Sequence, residues 1–258
     1  MIQRDILIKF IYELIGKDLL EKALKIDEVA NGVQFLGSDK VERVTLGVSL
    51  NEEFLKKAIE KNSNFCIFHH GFDTGVYKSR YPSYSQERLR IILKNDLTIM
   101  GFHYALDAHP QFGNNVSIIK ILGAEVSEPL GNEWGYTAKF DKPQDIHELG
   151  HKCRDIFDHE IFVVEGNIDK VKKIGVISGG AKPNAELLAE IEAKGVELFI
   201  SGETSEHVPH RMKESGINYF VCGHYATEVF GVKALGEEIK KEFKDKLSVE
   251  FIDVENPI

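Results

Sequence analysis

Residues 97–107 read LTIMGFHYALD and residues 217–228 read INYFVCGHYATE. Each begins as a short, β-rich apolar run and reaches a glycine followed within two positions by a histidine. Each then places a carboxylate four residues after that histidine: Asp107 after His103, and Glu228 after His224. The residues upstream repeat the same order. VERVTLGVSL (41–50), NEEFLKKAIEKN (51–62) and FCIFHHG (65–71) precede the first stretch. VKKIGVISGG (171–180), NAELLAEIEAKG (184–195) and LFISGE (198–203) precede the second. Apolar runs alternating with helical patterns predict βαβ units, a largely parallel or mixed sheet and right-handed crossovers. A repeat this long predicts a duplicated domain rather than a solenoid. The expected fold is α/β: two similar three-layer domains, residues 1–125 and 126–258, with the tail LSVEFIDVENPI (247–258) free to complete the first sheet instead.

Between the copies, WGYTAKF (134–140) reads as a strand, DIHELGHKCRDIF (145–157) as a helix and EIFVVEG (160–166) as a further strand. At the start, Ile2, Ile6, Phe10 and Ile11 fall at helical spacing and predict an amphipathic first helix. Arg4, Asp5, Lys9 and Glu13 interrupt that stretch, which excludes a signal peptide or a membrane span.

The 258 residues carry a formal net charge of −9. That balance, without a basic stripe, argues against general nucleic-acid binding. Cys66, Cys153 and Cys222 are odd in number and far apart, so they indicate a reducing, cytoplasmic compartment rather than a disulfide framework, with Cys66 and Cys222, in apolar runs, read as small buried hydrophobes.

The chemistry concentrates at predicted strand ends, where open α/β sheets bind ligands. His69 and His70 precede Gly71, whose backbone freedom lets neighbouring imidazoles converge; a pair of ordinary turn histidines is the alternative. His103 with Asp107, and His224 with Glu228, share a helical face if each strand runs into a helix; a capping pair is the alternative there. Imidazoles and carboxylates without thiolates suit an open, catalytic metal site more than a closed structural one. Ile177-Ser178-Gly179-Gly180 reads as strand-to-helix punctuation, with a small phosphate-cradling turn as the other possibility. Trp134 and Tyr136 read as packing residues. His147, His151 and His159 read as surface residues.

HHG, GFHYALDAHPQFGNN, ISGETSEHVPH and CGHYATE, taken in this order, resemble the Nif-three-like family, also called dinuclear metal-centre proteins or GTP cyclohydrolase I type 2 homologs. ANGVQFLGSD (30–39) resembles the family's early Asn-Gly-Gln element, whereas FDTGVYKSRYPSY (72–84) departs from its pattern. The resemblance implies two divalent ions per subunit (Zn, Mn, Fe or Ni) held by His69, His70, Asp107, His224 and Glu228, with Asp107 as the bridge. It places His103 and His210 beside the site, as proton carriers or supporting residues. Glu203 is a further candidate for moving protons. It also implies a toroidal homohexamer. The functional expectation is a metal-dependent hydrolase acting on a nucleotide or phosphoester-like substrate. The competing expectations are a non-catalytic metal chaperone or hexameric scaffold and, disfavoured by charge, a DNA-binding ring.

Overall fold

The computed structural model describes residues 1–27, 30–73, 75 and 78–258. In chain order its elements are β1 (Ile2–Gln3), α1 (Arg4–Ile15), α2 (Lys17–Ile26), β2 (Asn31–Phe35), β3 (Lys40–Val41), β4 (Arg43–Ser49), α3 (Glu52–Glu60), β5 (Phe65–His70), α4 (Ser83–Lys94), β6 (Thr98–Phe102) and α5 (Tyr104–Asp107). Then come α6 (Asn114–Leu122), β7 (Glu125–Leu130), β8 (Gly135–Asp145), α7 (Ile146–Phe157), β9 (Phe162–Val164), β10 (Lys170–Val176), α8 (Ala185–Ala193), β11 (Leu198–Ser201), α9 (Val208–Glu214), β12 (Asn218–Val221), α10 (His224–Phe243) and β13 (Ser248–Phe251). Among the described residues, no helix is long and apolar enough to cross a membrane. Thr74, Val76 and Tyr77, within the stretch that departs from the family pattern, lie outside the described residues.

The chain forms two compact units. Unit 1 is Met1–His109 with Val232–Val254, and unit 2 is Pro110–Gly231 with Glu255–Ile258. The division falls before residue 125 because α6 buries Ile118, Ile119 and Leu122 with Phe140, Leu149 and Val171 of unit 2. The second half of α10 and β13 return to unit 1, where β13 pairs in parallel with β4.

Unit 1 holds a five-stranded sheet in the order β13-β4-β5-β6-β2, in which only β2 runs antiparallel. Its strands read as continuous apolar runs because both faces are covered. Cys66 and Phe68 of β5 pack on α3 and α4 through Phe54, Leu55, Ala58 and Ile92. On the opposite face, Gly236 of α10 approaches so closely that a Cβ there would lie 3.1 Å from Leu46 Cδ1. Asn51 caps α3, its side chain accepting from the Phe54 amide. The first helix buries Leu7, Ile11 and Ile15, a face rotated from the predicted one, so that Ile6 is exposed.

Unit 2 holds a six-stranded sheet in the order β7-β8-β10-β11-β12-β9. Its parallel centre, β10-β11-β12, is flanked by antiparallel β8 and β9. Alternate residues face alternate layers. Leu198, Ile200 and Phe220 meet α6 and α7, while Phe199 and Tyr219 meet α8 and α9. Strand β7, which the sequence pattern does not predict, forms a hairpin with β8. The units share one topology: three parallel strands with crossover helices, and an antiparallel strand on the third that precedes the first in the chain.

Gly47 of β4 is a stringent packing position. A Cβ there would lie 2.5 Å from the ring of fully buried Phe54, which is itself locked against Phe68 with ring centroids 4.5 Å apart. Gly47→Ala is expected to destabilise the chain by about 1–3 kcal/mol through overpacking, read as a lowered urea midpoint at unchanged slope.

Candidate metal centre

In unit 1, β5 carries His69 and His70 to the carboxyl end of the sheet. His69 is fully buried, and its Nδ1 donates to the Phe102 carbonyl of β6 at 2.9 Å. A carbonyl can only accept, so the proton sits on Nδ1 and Nε2 carries the lone pair. That Nε2 lies 3.6 Å from Asp107 Oδ2, whose side chain is 10% exposed. Two electron-pair donors facing one another in a nearly dry pocket are unfavourable alone and become favourable around a shared cation. His70 Nδ1 lies 3.0 Å from Ser49 Oγ, its register partner on β4.

His103 follows β6 and caps the single turn of α5, which brings Asp107 round to the same side; the Asp107 amide donates to the His103 carbonyl at 3.2 Å. The Asp27 carboxylate accepts a hydrogen bond from His103 Nδ1, with both oxygens at 3.0 Å. Asp27 also accepts from the Tyr104 amide at 3.0 Å and from Asn31 Nδ2 at 2.7 Å. Asn31 Oδ1 accepts from the His103 and Ala105 amides at 3.1 and 3.2 Å. The ring centroids of His69, His70 and His103 lie 4.6, 5.0 and 5.3 Å apart. One ring nitrogen of each falls within 4.8 Å of the others, a group that could hold a metal ion.

Sequence reasoning named the early element but gave it no role, and it missed Asp27 altogether. Gln34 of that element pairs with the backbone of Phe72, beyond the HHG turn, at 2.6 and 2.7 Å. Gly32, at φ +142, is needed because a Cβ there would meet the Tyr12 hydroxyl at 2.8 Å. The available signal was a short run, Asp27 to Gln34, with three hydrogen-bonding side chains beside a glycine.

In unit 2, β12 ends before Gly223, and α10 begins at His224. Glu203 accepts a hydrogen bond from His224 Nδ1 and is itself paired with Lys182. His224 Nε2 lies 3.1 Å from Glu228 Oε1, one helical turn on, and the Glu228 side chain is 3% exposed. Burial pulls the His224 imidazole down, but Glu228 and then Glu203 outweigh it and its pKa is pushed up to about 9. Burial works against ionisation of Glu203, yet Lys182 and His224 together hold it below the usual carboxylate range. A proton on His224 thus satisfies a carboxylate pocket in which a cation could serve instead.

The glycine turn after β10 presses on these groups. A Cβ on Gly179, at φ +63, would lie 2.1 Å from Glu228 Oε1 and 3.2 Å from His224 Nε2. The amides of Ser178 and Gly179 are taken by Asn115 Oδ1 at 2.7 Å and Thr227 Oγ1 at 2.9 Å. The Ile177–Gly180 stretch is therefore a packing turn against the histidine and glutamate, not a phosphate cradle.

The structure gathers His69, His70, His103 and Asp107 in unit 1, and His224, Glu228 and Glu203 in unit 2. Glu203 sits behind His224, where it positions the ring. His210 is exposed on α9 and does not belong to the groups, among the described residues, whose donor atoms converge within 4.8 Å. Cys66, Cys153 and Cys222 are free and buried, and burial pushes the Cys66 thiol up to about 12. Trp134 is buried, and His147 and His151 are exposed. The donor chemistry, imidazoles with proton-bearing Nδ1 and buried carboxylates without thiolate, fits a divalent cation.

Residues 6–257 match the model of the family described as Duf34/NIF3 (NGG1p interacting factor 3). The chain belongs to the Duf34/NIF3 family. A relative from Haemophilus influenzae named "GTP cyclohydrolase 1 type 2 homolog" is 32% identical over 244 residues, covering 90% of this chain and 93% of its own. An Archaeoglobus fulgidus relative of the same name is 33% identical over 243 residues, covering 92% and 94%. Among solved structures, a structural-genomics protein of unknown function, ybgI, superposes with a TM-score of 0.87 at 27% identity over 100% of both chains. A Thermus thermophilus protein superposes with a TM-score of 0.83 at 25% identity, also over 100% of both.

The raised His224 pKa carries a stability prediction for metal-free protein. The folded value lies above the unfolded one, so the contribution is complete below about pH 6.5 and is lost as pH rises through about 9. The melting temperature of the apo chain is expected to fall between about pH 7 and 9.5. His224→Asn is expected to flatten that fall, as measured by differential scanning fluorimetry.

Proposed function

We propose that this chain is a metal-dependent hydrolase acting on a nucleotide or phosphoester-like substrate. The ligands it would use for two divalent ions are His69, His70 and Asp107 of unit 1 and His224 and Glu228 of unit 2. The observation that carries the reading is the paired form of the two half-sites. In each, an imidazole with its proton on Nδ1 sets Nε2 against a buried carboxylate oxygen, at 3.6 Å for His69 and Asp107 and at 3.1 Å for His224 and Glu228. Family membership supports the pairing, and the name shared by the relatives supports hydrolytic chemistry.

The chemistry that a divalent pair supplies when bound is Lewis acidity toward water and toward a carbonyl or phosphoryl oxygen. The chain's own groups do the rest. Glu203, balanced by Lys182, keeps the His224 proton on Nδ1 and the ring fixed. Asp27 does the same for His103, whose Nε2 is then the base that receives a proton from the reacting water or returns one to the leaving group. Burial of His69, Asp107 and Glu228 keeps bulk water from competing with these contacts. A toroidal homohexamer and a cytoplasmic location belong to the same proposal. Light scattering is expected to find a particle of six 29.1 kDa chains.

Elemental analysis after loading with Mn or Zn is expected to find two ions per chain, falling to one or none in His69→Ala and Asp107→Ala. Loaded protein is expected to turn over at least one member of a panel of nucleotides and phosphoesters, and those variants none. Two tightly held ions with no turnover above the variants would favour the metal carrier or scaffold instead.

A further inference from the structure

Each imidazole of unit 1 has its own partner at Nδ1: the Phe102 carbonyl for His69, Ser49 Oγ for His70 and the Asp27 carboxylate for His103. Two of these partners can only accept, so His69 and His103 carry their protons on Nδ1. Ser49 can accept in the same sense for His70. All three rings then offer Nε2, and a ring nitrogen of each lies within 4.8 Å of the others. A residue that only moved protons would not need to stand in mutual reach of both neighbouring imidazoles. The carboxylate behind His103 fixes its tautomer and ring orientation, as carboxylates behind ligating histidines do. Asp27 also accepts from the Tyr104 amide and Asn31 Nδ2, and both bonds hold the same turn in place.

We propose that His69, His70 and His103 form a capture site that takes one divalent cation of the zinc, cobalt or copper class through three nitrogens, using unit 1 alone. Three neutral imidazoles bind such borderline ions and leave a fourth position open, the arrangement suited to handing an ion on. The proposal rests on the dinuclear reading only for the destination of that ion. In the dinuclear reading the carboxylates would hold the ion, and His103 Nε2 would be left to its proton-carrying role.

The test uses the full chain with the unit 2 donors removed, His224→Ala/Glu228→Gln. Equilibrium dialysis against Cu²⁺ or Co²⁺ is expected to leave one ion per chain. Electron spin-echo envelope modulation of the copper form is expected to count three imidazoles. Adding His103→Ala is expected to weaken that ion about 100-fold or more. His103→Gln, which keeps a donor toward Asp27 and so protects the turn, is expected to do the same with an unchanged circular dichroism spectrum. Asp27→Asn is expected to weaken the ion about 10–100-fold. A two-imidazole signature, or His103→Gln binding as tightly as its parent, overturns the capture site. The failures are separable: wild type holding only one ion, with the double variant still holding it through three imidazoles, sinks the dinuclear reading alone. Wild type holding two, with the double variant holding none, sinks the capture site alone.

Discussion

A histidine donates through one nitrogen only when the other keeps the proton, and this chain controls that choice from behind. A main-chain carbonyl does it for His69, a carboxylate for His103 and a second carboxylate for His224. The rest of the candidate centre depends on these contacts. They decide which ring edge faces Asp107 and Glu228, and they hold the rings against rotation in positions where carboxylates and imidazoles would otherwise take protons from one another. Lys182 extends the control by a further step, since its charge keeps Glu203 ionised and so able to accept from His224.

The scaffold makes such contacts reachable. In each unit the functional side chains sit where parallel strands end and helices begin. There an adjacent strand supplies a carbonyl or hydroxyl in register, as Ser49 does for His70. The space is tight enough to require glycine at its margins. Gly202, squeezed between the Gly179 and Gly223 carbonyls, has no room for a methyl group: a Cβ would lie 2.6 and 2.8 Å from those oxygens. The Gly179 turn has the same character, and its amides are spent on Asn115 and Thr227 rather than on a ligand.

Much of this was legible in the residues. Apolar runs covered on both faces marked β4, β5, β6, β10, β11 and β12, and the four-residue spacing placed Asp107 and Glu228 one turn from their histidines, on α5 and α10. Three things were not legible. Strand β7, with Ser127 and Pro129 and no clean alternation, has weak β character and exists through its hairpin with β8. Asp27 lies 76 positions from the histidine it grips, and no local pattern reports a contact of that span. The compact units also escaped a single cut. A boundary drawn along the chain cannot express that α6 belongs with the strands and helices C-terminal to it, whereas the return of the tail to the first sheet, as β13, was open to the sequence reading.

That division bears on how the molecule is made. Unit 1 is discontinuous, with residues 110–231 interposed between its two segments. During synthesis from the amino end, β4 is finished long before β13 emerges to pair with it. Unit 2's sheet, which needs nothing beyond residue 221, can close while the β4 edge still waits with open hydrogen-bonding groups. A nascent chain therefore passes through an interval in which the β4 edge is unsealed. Once β13 pairs with β4, it covers that edge against edge-to-edge association.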